Sequence, residues 1–243
     1  MGMPITVEVP DFFDPKNAIE KFFLYFSEVD GRFSTYKETS EITRMNKNRL
    51  QRAGYSEDMK TVLALCEETK KQTDGYFDIV TADGRYDPSG LVKGWSIYNA
   101  AQLLLKEGFK NFYIDAGGDI QTGGNNKEGK RWSVGIKNPF NQKEIVKVLY
   151  IKDEGVATSG TYIRGQHIYN PKKRSESITE IVSLTVVGQN IYEADRFATA
   201  AFAMGKPGIA FIEKLKGFEG YMIDKEGIAT MTSGIEKYTF SNS

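Results

Sequence analysis

The chain has 243 residues, room for one large domain or two small ones. Apolar residues make up 40% and charged residues 26%, an ordinary globular balance. Lys plus Arg and Asp plus Glu both total 32, so the formal charge is zero and no global field favours nucleic acid or an acidic membrane surface.

Met1-Gly2-Met3-Pro4 leads straight into Ile5, Val7 and Val9, which alternate with polar residues as in a strand. No charged-then-apolar leader precedes them and no apolar run reaches transmembrane length, so the expectation is a cytoplasmic chain without membrane insertion. Asp14-Pro15 forms a cap and first-turn pair for a helix with the stripe Ile19, Phe22, Phe23, Phe26 and Val29, ended by Gly31. Ser40 suits the cap of a short helix. Ser56 caps a long helix with Glu57 and Asp58 in its first turn, running to Asp74-Gly75. On that helix Cys66, the single cysteine, sits among Val62, Leu63 and Leu65 as a core residue.

A further helix is expected from about Gly90 to Lys106, with Val92, Trp95, Tyr98, Ala101 and Leu105 on one stripe and Gly108 as its stop. Strand-like runs follow over 111–115, 132–137, 145–151 and 181–187. Gly123-Gly124-Asn125-Asn126 is a polar turn between two of them. A small-residue helix spans about Tyr192 to Met204, Pro207 opens another, and two short strands flank Asp224-Lys225-Glu226-Gly227. Helices and strands mix without a βαβ rhythm. The fold class is therefore α+β, and residues 1–243 are expected to form one domain.

Three stretches carry chemistry. Asp87-Pro88-Ser89-Gly90-Leu91-Val92-Lys93-Gly94 fixes a turn at a helix N-terminus, where amides and Lys93 suit phosphate; by themselves these residues read first as a capped helix start with a surface lysine. Asp115-Ala116-Gly117-Gly118-Asp119 lets a ligand or another backbone approach closely, or is simply a tight turn. Ala157 to Pro171 holds the only histidine, His167, with Arg164 and several hydroxyls. Ala194-Asp195-Arg196-Phe197-Ala198-Thr199-Ala200 follows it. On a helix Asp195 and Thr199, at i and i+4, share one face, and a carboxylate with a hydroxyl suits a hard cation such as Mg2+. Alone, Asp195 reads as a solvated helix carboxylate placed near the surface. Tyr36, in the polar connection Phe33-Ser34-Thr35-Tyr36, suits stacking on a planar ligand or burial in the core. Lys172-Lys173-Arg174 reads as a solvated turn or a phosphate contact.

In this order these stretches resemble the ApbE family, the FAD:protein FMN transferases. Met1 to Val7 resembles its opening M-G-T strand. Phe33 to Asn46 resembles F-S-x-[YF]…S-E-[IL]-x-x-[LM]-N, and Gly75-Tyr76-Phe77-Asp78 resembles G-x-F-D. Asp87 to Gly94 resembles D-x-[GS]-G-[IL]-[AV]-K-G, and Gly117-Gly118-Asp119 matches G-G-[DN]. Ala157 to Pro171 resembles A-T-S-G-x-Y-x-R…H-[IV]-x-[DN]-P, and Ala194 to Ala200 matches A-D-x-x-[AS]-T-A.

The resemblance implies mostly antiparallel sheets, an FAD cleft between two halves, and Mg2+-dependent transfer of FMN from FAD to a threonine of an acceptor redox protein, with release of AMP. By the same resemblance Asp195, Thr199 and the backbone carbonyl of Val92 hold the metal. His167 acts as general base with Arg164 beside the phosphates. Met1, Tyr36, Asp87, Ser89, Lys93, Asp119, Thr158, Ser159 and Gly160 contact FAD, the Thr158-Ser159-Gly160 stretch read as a turn. Hydrolysis of FAD to FMN and AMP, or a flavin-binding module without turnover, are the competing readings. Departures are a nearly direct link from Asp78 to Asp87, where the family has a longer segment, Lys172-Lys173-Arg174 in place of T-G, Met3 in place of threonine, and no lipoprotein leader.

Overall fold

A computed structural model describes residues 2–11, 13–161, 168–173 and 177–240. Nine strands and six α-helices appear among them. The strands are β1 (Ile5–Glu8), β2 (Phe112–Ala116), β3 (Asp119–Gly123), β4 (Trp132–Lys137), β5 (Ile145–Ile151), β6 (Gly155–Gly160), β7 (Ile181–Gly188), β8 (Glu219–Asp224) and β9 (Ala229–Met231). The helices are α1 (Lys16–Phe33), α2 (Glu41–Asn46), α3 (Glu57–Gln72), α4 (Ser89–Lys106), α5 (Ile191–Ala203) and α6 (Gly208–Glu213).

Seven strands form one sheet in the order β1-β2-β3-β6-β7-β8-β9, and every neighbouring pair in it is antiparallel. β4 and β5 form a separate antiparallel ribbon. Trp132, Val134, Ile136, Leu149 and Ile151 of that ribbon pack on Ile120, Val156, Val187, Tyr221 and Ile223, covering one face of the sheet. The opposite face packs through Ile114, Ala157, Leu184 and Val186 on α1, α4 and α5, with Phe22, Ile97, Leu104, Ala194 and Phe202 in the contact. A third cluster joins α1, α2, α3 and α4 around Val29, Ile42, Met59, Leu91 and Trp95. Cys66 lies in this cluster, and burial pushes its thiol up to about 12.

The layering explains why β3 and β6 escape a pattern search. β3 is buried at all five positions, because helices cover one face and the ribbon the other. It therefore shows no alternation, and its Asp-Ile-Gln-Thr-Gly composition is polar. Gln121 is at home there: its side-chain oxygen accepts the Ile191 N–H (2.8 Å), satisfying an orphan donor at the start of α5. Thr158-Ser159-Gly160 is the end of β6, a strand and not a turn, paired in register with Thr185, Leu184 and Ser183.

Other local expectations hold with adjustments. Ser40 and Ser56 cap α2 and α3 through the N–H groups of Thr43 and Met59. The cap position of α1 is Pro15, one residue later than expected, and Asp14 Oδ1 accepts the Lys16 N–H (3.0 Å) from just ahead of it. Gly31 does not end α1, which continues to Phe33, because Val29 and Phe33 bury into the helical cluster and carry the chain past the glycine. Phe23 (41% exposed) and Leu105 (43%) fall outside the buried stripes. The direct link from Asp78 to Asp87 closes as a tight hairpin. Val80 bridges Tyr86, and the Thr81 N–H donates to the Arg85 carbonyl (2.8 Å). Asn46 pins it, its amide donating to the Tyr86 carbonyl (2.9 Å) and accepting the Tyr86 N–H (2.8 Å).

Candidate active site

The site forms where α4 crosses α5. Gly90 and Gly94 of α4 face Thr199 and Asp195 of α5, an i, i+4 pair set against another, the ridge spacing by which helices interdigitate. A Cβ at Gly94 would lie 2.6 Å from Asp195 Cβ and 2.7 Å from the Ile191 carbonyl oxygen, so only glycine fits. The Gly94 N–H donates to Asp195 Oδ2 (2.8 Å), and the Thr199 hydroxyl donates to the Gly90 carbonyl (3.3 Å). A pair of glycines on α4 thus gives α5 its close approach at this crossing.

Asp195 is 3% exposed, which corrects the expectation that it lies near the surface. Burial raises its carboxyl above the usual range; Lys93 opposes the shift and the neighbouring Asp119 adds to it. Lys93 Nζ lies 2.6 Å from Asp119 Oδ2 and 3.9 Å from Asp195 Oδ1. Asp119 Oδ1 in turn accepts the Thr158 N–H from β6 (3.2 Å). Next to Asp195, Arg196 is buried and fixes α5 against α3. It donates to Glu193 and Thr69 and makes a short contact to Gln72, while its guanidinium lies 4.2 Å from the Phe197 ring centre.

Two cavities of about 400 Å³ each open beside this seam. Lys93, Thr158, Ser159, Gly160, Asp195 and Thr199 line the first. Val92 and Tyr36 line the second, and Tyr36 is 97% exposed, so it is not a core residue. Gly2, Met3, Asp87, Ser89 and Lys93 border both. Asp87 Oδ1 accepts the Ser89 N–H (3.0 Å) at the start of α4. The β2–β3 turn meets the same border. Gly117 takes φ 64° and approaches Met3 so closely that a Cβ there would lie 3.1 Å from the methionine sulfur.

Met1, Arg164 and His167 lie outside the described residues, as does Arg174. Gly160 and Ile168, on either side of 161–167 in the sequence, both line the first cavity. Lys172 is drawn to the helical side, pairing with Asp74 (2.5 Å) and lying 4.4 Å from the Tyr76 ring centre. Sequence reasoning missed Gly90 and the contribution of Tyr76, Phe77 and Asp78 to the cavity wall. The carbonyl beside the Thr199 hydroxyl is that of Gly90, two residues before Val92. The i, i+4 pair of glycines in α4 was the available signal.

The donor set fits a hard divalent cation. Asp195, Thr199 and Gly90 line one cavity, the Thr199 hydroxyl lying 3.3 Å from the Gly90 carbonyl, while no cluster of three His, Cys, Asp or Glu suited to a metal exists among the described residues. Mg2+ is commonly held by one or two carboxylates while water and substrate phosphates complete its shell.

The architecture and site define a class. The family model described as the ApbE family matches residues 1–84 and 80–222, and the chain belongs to that family. The two matched stretches meet at the shortened hairpin. An FAD:protein FMN transferase from Vibrio cholerae is 23% identical over 265 residues, covering 85% of this chain and 79% of the relative. Proteins of the same name from Klebsiella pneumoniae and Escherichia coli K12 are each 29% identical over 150 residues, covering 58% of this chain but 43% of the relative. The solved structure of the flavin transferase ApbE from Vibrio cholerae superposes with a TM-score of 0.84 at 22% identity, covering 98% of this chain and 96% of that one. The ApbE protein from Thermotoga maritima superposes with a TM-score of 0.86 at 19% identity over the same shares. The fold is ApbE-like, with mixed helices and antiparallel sheets.

Proposed function

We infer that this chain, as one domain over residues 1–243, is an FAD:protein FMN transferase that moves FMN from FAD to a threonine hydroxyl of an acceptor redox protein and releases AMP. The observation that carries this reading is the pair of cavities meeting at Lys93, Asp87 and Ser89, with Asp195 and Thr199 on the wall of one. A dinucleotide with two bulky ends and a pyrophosphate between them suits such a plan. Membership of the ApbE family supports it.

Asp195, Thr199 and a nearby backbone carbonyl, that of Gly90 or Val92, would hold Mg2+, which neutralises pyrophosphate charge when bound. Asp87, Ser89 and Lys93 at the start of α4 orient the pyrophosphate through amides, hydroxyl and ammonium. Thr158, Ser159 and Gly160 form the facing wall, and Asp119 supports Lys93. Tyr36 lies against the flavin nucleotide and shields the phosphorus from water. The acceptor oxygen forms the new P–O bond on the FMN side as the bridging P–O bond to AMP breaks. His167 takes the threonine proton, and Arg164 balances charge moving onto AMP.

The test is incubation with FAD, Mg2+ and a threonine-bearing acceptor peptide, resolved by chromatography. Transfer gives a fluorescent flavopeptide and AMP in equal amounts, lost in EDTA. Free FMN with no flavopeptide would replace transfer by hydrolysis. Bound but unchanged FAD would leave only a flavin-binding module. His167→Ala is expected to slow transfer by roughly 10²–10⁴-fold with FAD affinity little changed. Unchanged turnover per folded molecule would remove His167 from the mechanism.

A further inference from the structure

Two buried carboxylates share one ammonium in this site. Asp119 is 1% exposed and Asp195 3%, and Lys93 reaches both, at 2.6 Å and 3.9 Å. The asymmetry has a structural cause. Asp119 opens β3 directly after the Gly117-Gly118 turn, and the Thr158 N–H from β6 holds its second oxygen, so its carboxylate is fixed by two strands. Asp195 is fixed from another direction, by the Gly94 N–H on Oδ2. Its Oδ1 is the oxygen nearest Lys93. A lysine stem is long and rotatable, and a charge-assisted N–H···O contact forms at about 2.8 Å. Without Asp119, a displacement of about 1 Å would seat the ammonium on Asp195 Oδ1.

We propose that Asp119 is a positioning residue that holds the Lys93 ammonium off Asp195 and so keeps the Asp195–Thr199 oxygens open to a divalent cation. The proposal rests on the metal reading of Asp195 and Thr199 given above. An ammonium seated on Asp195 neutralises the charged ligand and repels a dication. Held by Asp119, the same ammonium stays beside the site, on the wall that faces a substrate phosphate.

The experiment measures Mn2+ binding to the FAD-free protein by electron paramagnetic resonance, with thermal melts on every variant. Wild type is expected to bind Mn2+ saturably and Asp195→Asn to lose that binding. In Asp119→Asn, if Lys93 sits on Asp195 in nine molecules of ten, apparent affinity falls about tenfold, since affinity scales with the competent fraction. Lys93→Met alone should bind Mn2+ at least as tightly as wild type, and Asp119→Asn/Lys93→Met should recover most of what Asp119→Asn loses. A double variant as weak as Asp119→Asn would overturn the proposal, since Asp119 would then act as a ligand or a strut. Wild-type affinity in Asp119→Asn, or weakened affinity in Lys93→Met, would overturn it as well. Absence of saturable Mn2+ binding in wild type would overturn the metal reading itself, and the proposal with it. If Asp119→Asn does not fold, the Lys93→Met arm alone decides.

Discussion

Asp195 and Tyr36 border adjoining cavities under opposite conditions, one 3% exposed and the other 97%. Asp195 belongs to the floor. There two glycines, two carboxylates and a lysine interlock α4, α5, β3 and β6, and a buried arginine ties α5 to α3. Tyr36 belongs to the rim, between α1 and α2, where its side chain stands almost wholly exposed. The difference teaches where substitutions act. Floor residues are coupled to one another and to the fold, so a change of shape there reaches stability, while an isosteric change of charge reaches chemistry. Rim residues meet only what enters the cleft, so a change there alters binding and partitioning alone.

The largest effect is expected from Asp195→Asn. The amide keeps an oxygen for the Gly94 N–H and fills the same space, so the seam survives while the metal loses its charged ligand. Charge stabilisation by a bound metal is worth several kcal/mol, so transfer should fall by about 10²-fold or more. Burial already disfavours the ionised carboxyl, so in EDTA the variant should melt no lower than wild type. A melt well below wild type would mean that the Asp195 charge holds the floor together, and the two roles would need separating by a double-mutant cycle.

Gly94→Ala should act mainly on the fold. Alanine is favoured over glycine inside a helix by about 1 kcal/mol, so propensity alone calls for stabilisation. The added Cβ would lie 2.6 Å from Asp195 Cβ and 2.7 Å from a backbone oxygen, neither of which can move without shifting α5. Overpacking of this kind costs about 1–3 kcal/mol, so the sign should reverse. Urea unfolding reads it: a lower midpoint at unchanged slope is expected. A stabilised variant would show that the seam is loose, and the contrast between floor and rim would weaken.

Much of the architecture was legible in the sequence, and what escaped has a physical reason. Amphipathic helices with serine caps, such as α2 and α3, announce themselves, because half-buried surfaces leave a periodic trace. The residues around the site do not. β3 is buried on both faces and polar, so neither alternation nor hydrophobicity marks it. α5 is buried nearly throughout, so its burial pattern could not tell a surface carboxylate from one in the floor, and Asp195 was placed wrongly for that reason. The pairing of Asp195 with Thr199 was readable from spacing alone. The i, i+4 spacing of Gly90 and Gly94 marks a face of close packing, but not that α5 is its partner, since the contact spans about a hundred residues and depends on which helix face meets which.

The smallest effect is expected at the rim, from Tyr36→Ala. A side chain 97% exposed contributes little to folding, and surface substitutions of this kind usually stay within about ±0.5 kcal/mol. The melt should therefore match wild type, in contrast to Gly94→Ala. If the ring stacks on the flavin nucleotide, it adds on the order of 1 kcal/mol beyond burial, so FAD affinity should fall about five-fold. The ring would also exclude water, which competes with the acceptor threonine for phosphorus. Tyr36→Ala should then raise the ratio of free FMN to flavopeptide in one incubation. The two readouts separate the alternatives. Lower affinity with an unchanged ratio would keep Tyr36 as a binding residue and place the water barrier elsewhere. An unchanged ratio at unchanged affinity would remove Tyr36 from the site and leave the second cavity without its planar wall.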